Sequence, residues 1–380
     1  MLPLSLYIHI PWCIQKCPYC DFNSHKTPAQ RPEMAYVKAL LDDLSHELYT
    51  KPAREIYSIF IGGGTPSLFS ADAYEALFHG LKQQLSFSKD IEITLEANPG
   101  TVDTQRFRDY HALGINRLSL GIQSFQDRHL KALGRIHDGA QAKDAIHIAR
   151  LAGFDNLNID LMHSLPHQTL EEGLADLQTA LRFSPEHLSW YQLTIEPNTV
   201  FYKTKPSTPT EDFTATLEEE GFQYLAAHGL TRYETSAFSQ PNKECLHNMN
   251  YWRFGDYYGI GAGAHGKFTH HDTSIVRTQK HRMPHAYLTT TQKALPENIL
   301  DHDEICFEFM LNTTRLIEAI PYTLFETRTH LHMDRLRPAL DLAAQKGLVS
   351  LQHDHWKITP LGLRFTNDLQ ALFLPKLQFQ

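Results

Sequence analysis

Six short apolar runs, each followed by an amphipathic segment, set the limits on what this chain can fold into. The runs are Leu6–Ile10, Ile56–Ile61, Ile91–Glu96, Arg117–Gly121, Leu157–Leu161 and Leu188–Thr194. The segments between and after them span 33–49, 70–86, 103–113, 138–152, 169–183 and 211–228. Short strands joined through helices are βαβ crossovers, and a series of crossovers builds a parallel sheet. Pro32 opens the first helix, and Ser70 is placed to cap the second. Six units are too few to close an eight-stranded barrel. The expected fold class is therefore α/β, a partial (β/α)6 barrel.

Past residue 232 this rhythm breaks. Residues 233–300 mix aromatics, glycines and histidines without a clear period. A helix is expected over 334–346, with Gly347 as its C-terminal cap. A hairpin from LVSLQ (348–352) and HWKI (355–358) follows, and then another helix. Together these predict a C-terminal α+β region with a winged-helix-like segment over roughly 300–375. The expected division is 1–232 and 233–380.

The formal charge of −8 makes nucleic acid a poor partner. The winged-helix-like stretch does not rescue that reading, because 301–380 carries 8 Lys and Arg against 10 Asp and Glu. No apolar run reaches the length of a membrane span. The start, MLPLSLYIHIPWC, lacks the basic region of a signal peptide. Five cysteines, three of them clustered, argue for a reducing compartment and a metal or redox site. The expectation is a cytoplasmic protein that is not integral to a membrane, of open oligomeric state.

In folds of this class the chemistry sits at the C-terminal ends of the parallel strands. Those ends here carry Cys13, Cys17 and Cys20 in CIQKCPYC, then GGGTPS (62–67), Glu96, Gly121 to Gln123, and Asp160 in NIDLM. Thiolates are soft ligands suited to iron–sulfur clusters or zinc. Zinc would need a fourth ligand, for which His25 stands five residues beyond Cys20. A 4Fe–4S cluster on three cysteines leaves one iron free for a substrate or cofactor.

The C-x3-C-x2-C spacing, with Tyr19 before the last cysteine, resembles the radical S-adenosylmethionine (SAM) superfamily. YIHIPWC, CPYCDF, GGGTPS, GIQSF, NIDLM–SLP and HNMNYW together resemble the oxygen-independent coproporphyrinogen III oxidase family, and within it the haem-chaperone branch. The resemblance covers nearly the whole chain. It implies a 4Fe–4S cluster on Cys13, Cys17 and Cys20, and a SAM site lined by Tyr7, Tyr19, Cys20, Asp21, Gly63, Gly64, Thr65, Glu96, Gln123, Arg135 and Asp160. Glu96 would accept from the methionine ammonium and Arg135 would pair with its carboxylate. Asp160 and Gln123 would bond the ribose hydroxyls.

The family's decarboxylating members carry another cysteine two residues after the third, where this chain has Phe22, and a longer arm before the first strand, where only six residues precede Tyr7. Both departures favour the chaperone branch, which implies haem as a third ligand and haem-accepting proteins, membrane-bound ones among them, as partners. The alternative is a coproporphyrinogen III oxidase. In HNMNYW (247–252), His247 is the expected axial haem ligand. Cys245 is a possible second one, and Asn248 or Asn250 would orient the imidazole. HGKFTHH (265–271) reads as a solvated loop, and GAGAHG (261–266) as a coincidental match to a dinucleotide motif. Cys306 reads as a buried structural thiol.

Overall fold

In the computed structural model, residues 2–375 are described apart from 53 and 102. All six expected strands form: β1 Leu4–Ile10, β2 Ile56–Gly63, β3 Phe87–Ala97, β4 Arg117–Gln123, β5 Leu157–His163 and β6 His187–Gln192. The expected helices form between them, from Glu33–Thr50 to Glu211–Ala227. Ser70 caps Ala71–Gln84 by accepting from the Ala73 amide. Asp138 and Thr169 close full capping boxes on Gly139–Leu151 and Leu170–Leu181.

Along each strand the two faces differ in chemistry. Leu6, Ile8, Ile59, Ile61, Leu95, Leu118, Leu120, Ile159, Leu161 and Leu188 are buried in one continuous core beneath the helices. Burial of each such side chain contributes roughly 1.5–3 kcal/mol. The alternate positions are polar and turn to the concave side. Among them are Glu96, Ser119, Gln123, Asn158, Asp160 and Ser189, all of which line one cavity. Period-two alternation thus puts the apolar face out, under the helices, and the polar face in.

The sheet is larger than six strands. Beyond β6 come β7 (Thr231–Glu234), β8 (Ala237–Ser239), β9 (Asp256–Ile260), β10 (His265–Thr269), β11 (Ile275–Gln279) and β12 (Asn298–Ile299). The order is β12-β11-β10-β9-β1-β2-β3-β4-β5-β6-β8-β7. β9 runs parallel to β1, pairing Leu4 with Asp256 and Ile8 with Ile260. The parallel set therefore has seven strands rather than six, and the seventh returns from the C-terminal region.

From 334 onward the tail follows the expected order of helix, hairpin and helix. Arg337–Gln345 is followed by Gly347 at φ +73°, a left-handed conformation that glycine adopts without strain. The hairpin Val349–Leu351 with His355–Ile358 gains a third strand from Ile320–Pro321. These elements have their own core around Phe309, Phe325, Leu340 and Trp356. Cys306 is buried in it, on the helix His302–Thr313.

Candidate cofactor site

The cysteines lie directly past the end of β1. Cys13 is in a two-residue bridge, Trp12–Cys13, held parallel to His25–Lys26, and the loop between closes with Cys20 N–H donating to the Cys17 carbonyl at 3.1 Å. Cys13 is buried, and Cys17 and Cys20 are half-buried facing a cavity of about 340 Å³. Burial pushes the Cys13 and Cys20 thiols up. The His25 Nε2 faces the Asn23 side-chain oxygen at 3.2 Å. Among the described residues, no three His, Cys, Asp or Glu side chains converge tightly enough to hold a single metal ion.

The glycines of GGGTPS seat β2 against this loop. Gly64 N–H donates to the Ile10 carbonyl at 2.7 Å, and Thr65 N–H donates to the Trp12 carbonyl at 2.8 Å. A Cβ on Gly64 would stand 2.6 Å from the Trp12 carbonyl oxygen, and one on Gly63, at φ +114°, would stand 2.5 Å from the His9 ring. The missing side chains make room for the β1 end and the cysteine strand.

The cavity wall opposite carries two carboxylates. Burial, with Asp160 adding to it, pushes Glu96 up to about 8. Burial also raises Asp160, although Ser119 Oγ and Asn158 Nδ2 each donate to it at 2.8 Å. Neither makes a salt bridge among the described residues, so the wall favours a cationic occupant. Arg135 donates to the Gly121 carbonyl at 2.5 Å and approaches the Tyr19 hydroxyl at 3.5 Å and Cys17 Sγ at 3.7 Å. Its buried Nε has no partner among the described residues. Gln123 ends β4 in a bulge at φ +71°, with its Oε1 accepting from the Tyr191 hydroxyl at 2.7 Å. A non-glycine residue in that region stores strain of the kind found at functional sites.

A second cavity, of about 660 Å³, adjoins the first and shares Phe22, Gly63 and Glu96 with it. Its other walls include Tyr7, His9, Tyr251, Tyr257, His265 and Arg282.

Residues 7–180 match the Radical SAM superfamily model, and 300–365 match that of the HemN C-terminal domain. The heme chaperone HemW of Escherichia coli K12 is 50% identical over 372 residues, 98% of each chain. The chain belongs to the HemW family. HemW of Haemophilus influenzae is 49% identical and that of Bacillus subtilis 33%, each over 98% of this chain and 98% and 100% of theirs. The solved coproporphyrinogen III oxidase HemN of Escherichia coli superposes with a TM-score of 0.83, covering 99% of this chain and 91% of its own. At 23% identity that likeness shows a shared fold.

In this HemW-family chain, ten of the eleven residues expected around SAM line one or both cavities. Tyr7 reaches only the second, and exposed Asp21 reaches neither. Reading only strand ends missed the deeper wall: Arg117, Ser119, Asn158, His187, Ser189 and Tyr191. The signal was available, since these are polar residues spaced two apart along β4, β5 and β6.

His247 stands apart from the other expected site residues. It is buried in the helix Leu246–Trp252 and lines neither cavity. Its Nδ1 bonds Ser58 Oγ at 3.2 Å and its Nε2 bonds the Tyr251 hydroxyl at 2.8 Å, so both nitrogens are committed within the protein. Burial pushes it down to about 3. Asn250 does not orient it, donating instead to Ser5 Oγ and the Asp256 carbonyl. Cys245 is sealed against Glu92. The motif still reaches ligand space, Tyr251 in the second cavity and Asn248 and Trp252 in the first. HGKFTHH also differs from expectation: His265–Thr269 is strand β10, with Lys267 buried against Asp256.

Proposed function

We propose that the chain holds a 4Fe–4S cluster on Cys13, Cys17 and Cys20, binds SAM in the adjoining cavity, and carries haem to haem-accepting proteins, including membrane-bound ones. The radical SAM core is proposed to span 1–232 and the C-terminal domain 233–380. The observation that carries the reading is the pairing of three thiols with a wall of two buried carboxylates that make no salt bridge among the described residues. SAM is a sulfonium and an ammonium joined to a carboxylate, so Glu96 and Asp160 suit its cationic side. Arg135, with one nitrogen unsatisfied, suits its carboxylate. Asp160 accepts two hydrogen bonds in the protein and has capacity for a ribose hydroxyl. Gln123 keeps its amide hydrogens without an acceptor among the described residues while Tyr191 fixes its oxygen, so they can donate to a ligand. When bound, the cluster would supply an open iron position and an electron. The chaperone role rests on relatives named heme chaperones and on Phe22, which stands where decarboxylating members carry a cysteine.

Anaerobic reconstitution tests the reading. About four irons per chain are expected, with loss in Cys17→Ser; one tight zinc instead would overturn the cluster. Asp160→Ala is expected to weaken SAM binding with iron content intact. Unchanged SAM affinity in both Asp160→Ala and Glu96→Ala would move the site elsewhere. Haem-loaded protein is expected to pass haem to apo-acceptor membranes. Anaerobic decarboxylation of coproporphyrinogen III, without haem retention, would replace the chaperone reading by the oxidase one.

A further inference from the structure

The second cavity differs in chemistry from the first. Its volume of about 660 Å³ falls in the range of sites that enclose drug-sized ligands. Tyr7, Tyr251, Tyr257 and Phe22 give it four aromatic walls. Phe22 is 60% exposed, so its ring is not consumed by the core.

Three histidines come near this space, and they differ in what their nitrogens are doing. His9 spends one on the Tyr7 hydroxyl and the other on the Asn23 carbonyl, both at 2.9 Å. His247 spends both, as described above, and one of those bonds fixes Tyr251, which lines the cavity. His265 lines the cavity and makes no side-chain hydrogen bond among the described residues. Its ring is held neutral, since burial and the nearby Arg277 and Arg282 push its pKa down.

Arg282 stands at the same rim. Its guanidinium has no salt bridge or hydrogen bond among the described residues, while its carbonyl accepts from Asn23 Nδ2 at 2.8 Å. The backbone is anchored and the cation is free. The same Asn23 amide donates to the Ala262 carbonyl at 2.9 Å, and a Cβ on Gly263 would collide with it. Asn23 therefore ties the loop after Cys20 to the turn that presents His265.

Resting on the haem-carrying reading above, we propose that the second cavity is the macrocycle site. Haem lies against its aromatic walls, with His265 as an axial ligand to the iron and Arg282 pairing with a propionate. Imidazole is a standard axial donor to haem iron, and an open aromatic slot with one ligand and one cation matches a flat, apolar dianion. His247 is then a positioning residue acting through Tyr251.

Haemin titration of the full-length, cluster-loaded protein tests this. His265→Ala is expected to shift the Soret band and weaken binding by about tenfold or more. Added free imidazole is expected to restore the band, which a merely structural loss would not allow. Arg282→Gln is expected to leave the band in place and weaken haemin by about two- to fivefold. That difference should vanish with haemin dimethyl ester, which lacks the propionate charges. Cluster iron content reports folding, and His265→Gln serves if the alanine variant does not fold. Wild-type protein that binds haemin, with His265 variants of unchanged band and affinity, would overturn the site. Wild-type protein that binds no haemin would overturn the haem-carrying reading itself.

Discussion

Burial pushes the Glu96 carboxyl from 4.5 up to about 8, with Asp160 adding to the rise and the Gly63 amide opposing it. In ligand-free protein the folded state therefore holds a proton on Glu96 across an interval where the unfolded chain has lost it. Stability falls as pH climbs through that window, from about 4.5 to about 8. At about 1.4 kcal/mol for each pKa unit, the ceiling on this loss is about 5 kcal/mol. Glu96→Gln keeps the shape and removes the titration, so its denaturation midpoint should change less between pH 5 and pH 8 than that of wild type. A cationic ligand reverses the preference, because it needs the carboxylate. SAM affinity should then rise with pH towards about 8. Calorimetry in buffers of different ionisation enthalpy should detect proton release in wild type and less in Glu96→Gln. Equal proton release in both would show that SAM does not meet this carboxyl.

At the scale of elements, the join between β2 and the cysteine strand is a contact of backbone on backbone. Gly64 faces the Trp12 carbonyl and Gly63 faces the His9 ring. A ring can rotate away, but a carbonyl in a two-residue bridge next to Cys13 cannot. Gly64→Ala should cost about 1–3 kcal/mol by overpacking, and it should lower iron loading as well as melting temperature, since the displaced strand carries the ligand. A stable Gly64→Ala protein with full iron would separate the glycine from the site. The cysteines and this glycine run were legible in the sequence because their signals are local. The six strands and their helices were legible because the apolar face repeats with a fixed period. β9 was not, since DYYGI is only five residues and its partner β1 lies some 250 positions upstream. The inner wall was hidden for a related reason. Asn158, His187 and Ser189 look like interruptions of apolar strands until the pairing of neighbouring strands puts them on one surface. HGKFTHH looked solvated because nothing nearby in sequence shows that Asp256 neutralises Lys267.

The whole molecule depends on β9 lying beside β1, and buried charge sets that junction. Lys280, just past β11, reaches the Asp43 carboxylate at 2.8 Å and also bonds Glu47, both on the helix Glu33–Thr50. Lys51 meets the other Glu47 oxygen at 2.8 Å and reaches Glu297 at 2.6 Å. Asp43 further accepts from the Tyr287 hydroxyl at 2.7 Å and the Gly261 amide at 3.2 Å. Burial opposes the charge on Lys280, but the two carboxylates outweigh it and hold its pKa above the ordinary value. Lys280→Met would leave two carboxylates in an enclosed space with one cation between them. Removing one partner of a buried pair costs about 3–5 kcal/mol, because the other charge stays buried. The sign of its pH dependence also follows. Without Lys280 the carboxylates hold protons more tightly when folded than unfolded, so the variant's deficit should be smaller at pH 5.5 than at pH 8. Adding Asp43→Asn should recover part of the loss at pH 8. Denaturant titrations at the two pH values measure this. By the same logic a 1–232 fragment, lacking β9 and Lys280, would expose the β1 edge and strand the Asp43–Glu47 pair, and it should neither stay soluble nor load iron. A soluble, iron-loaded 1–232 fragment would show that the six-stranded series folds alone and that the seventh parallel strand is an addition to it.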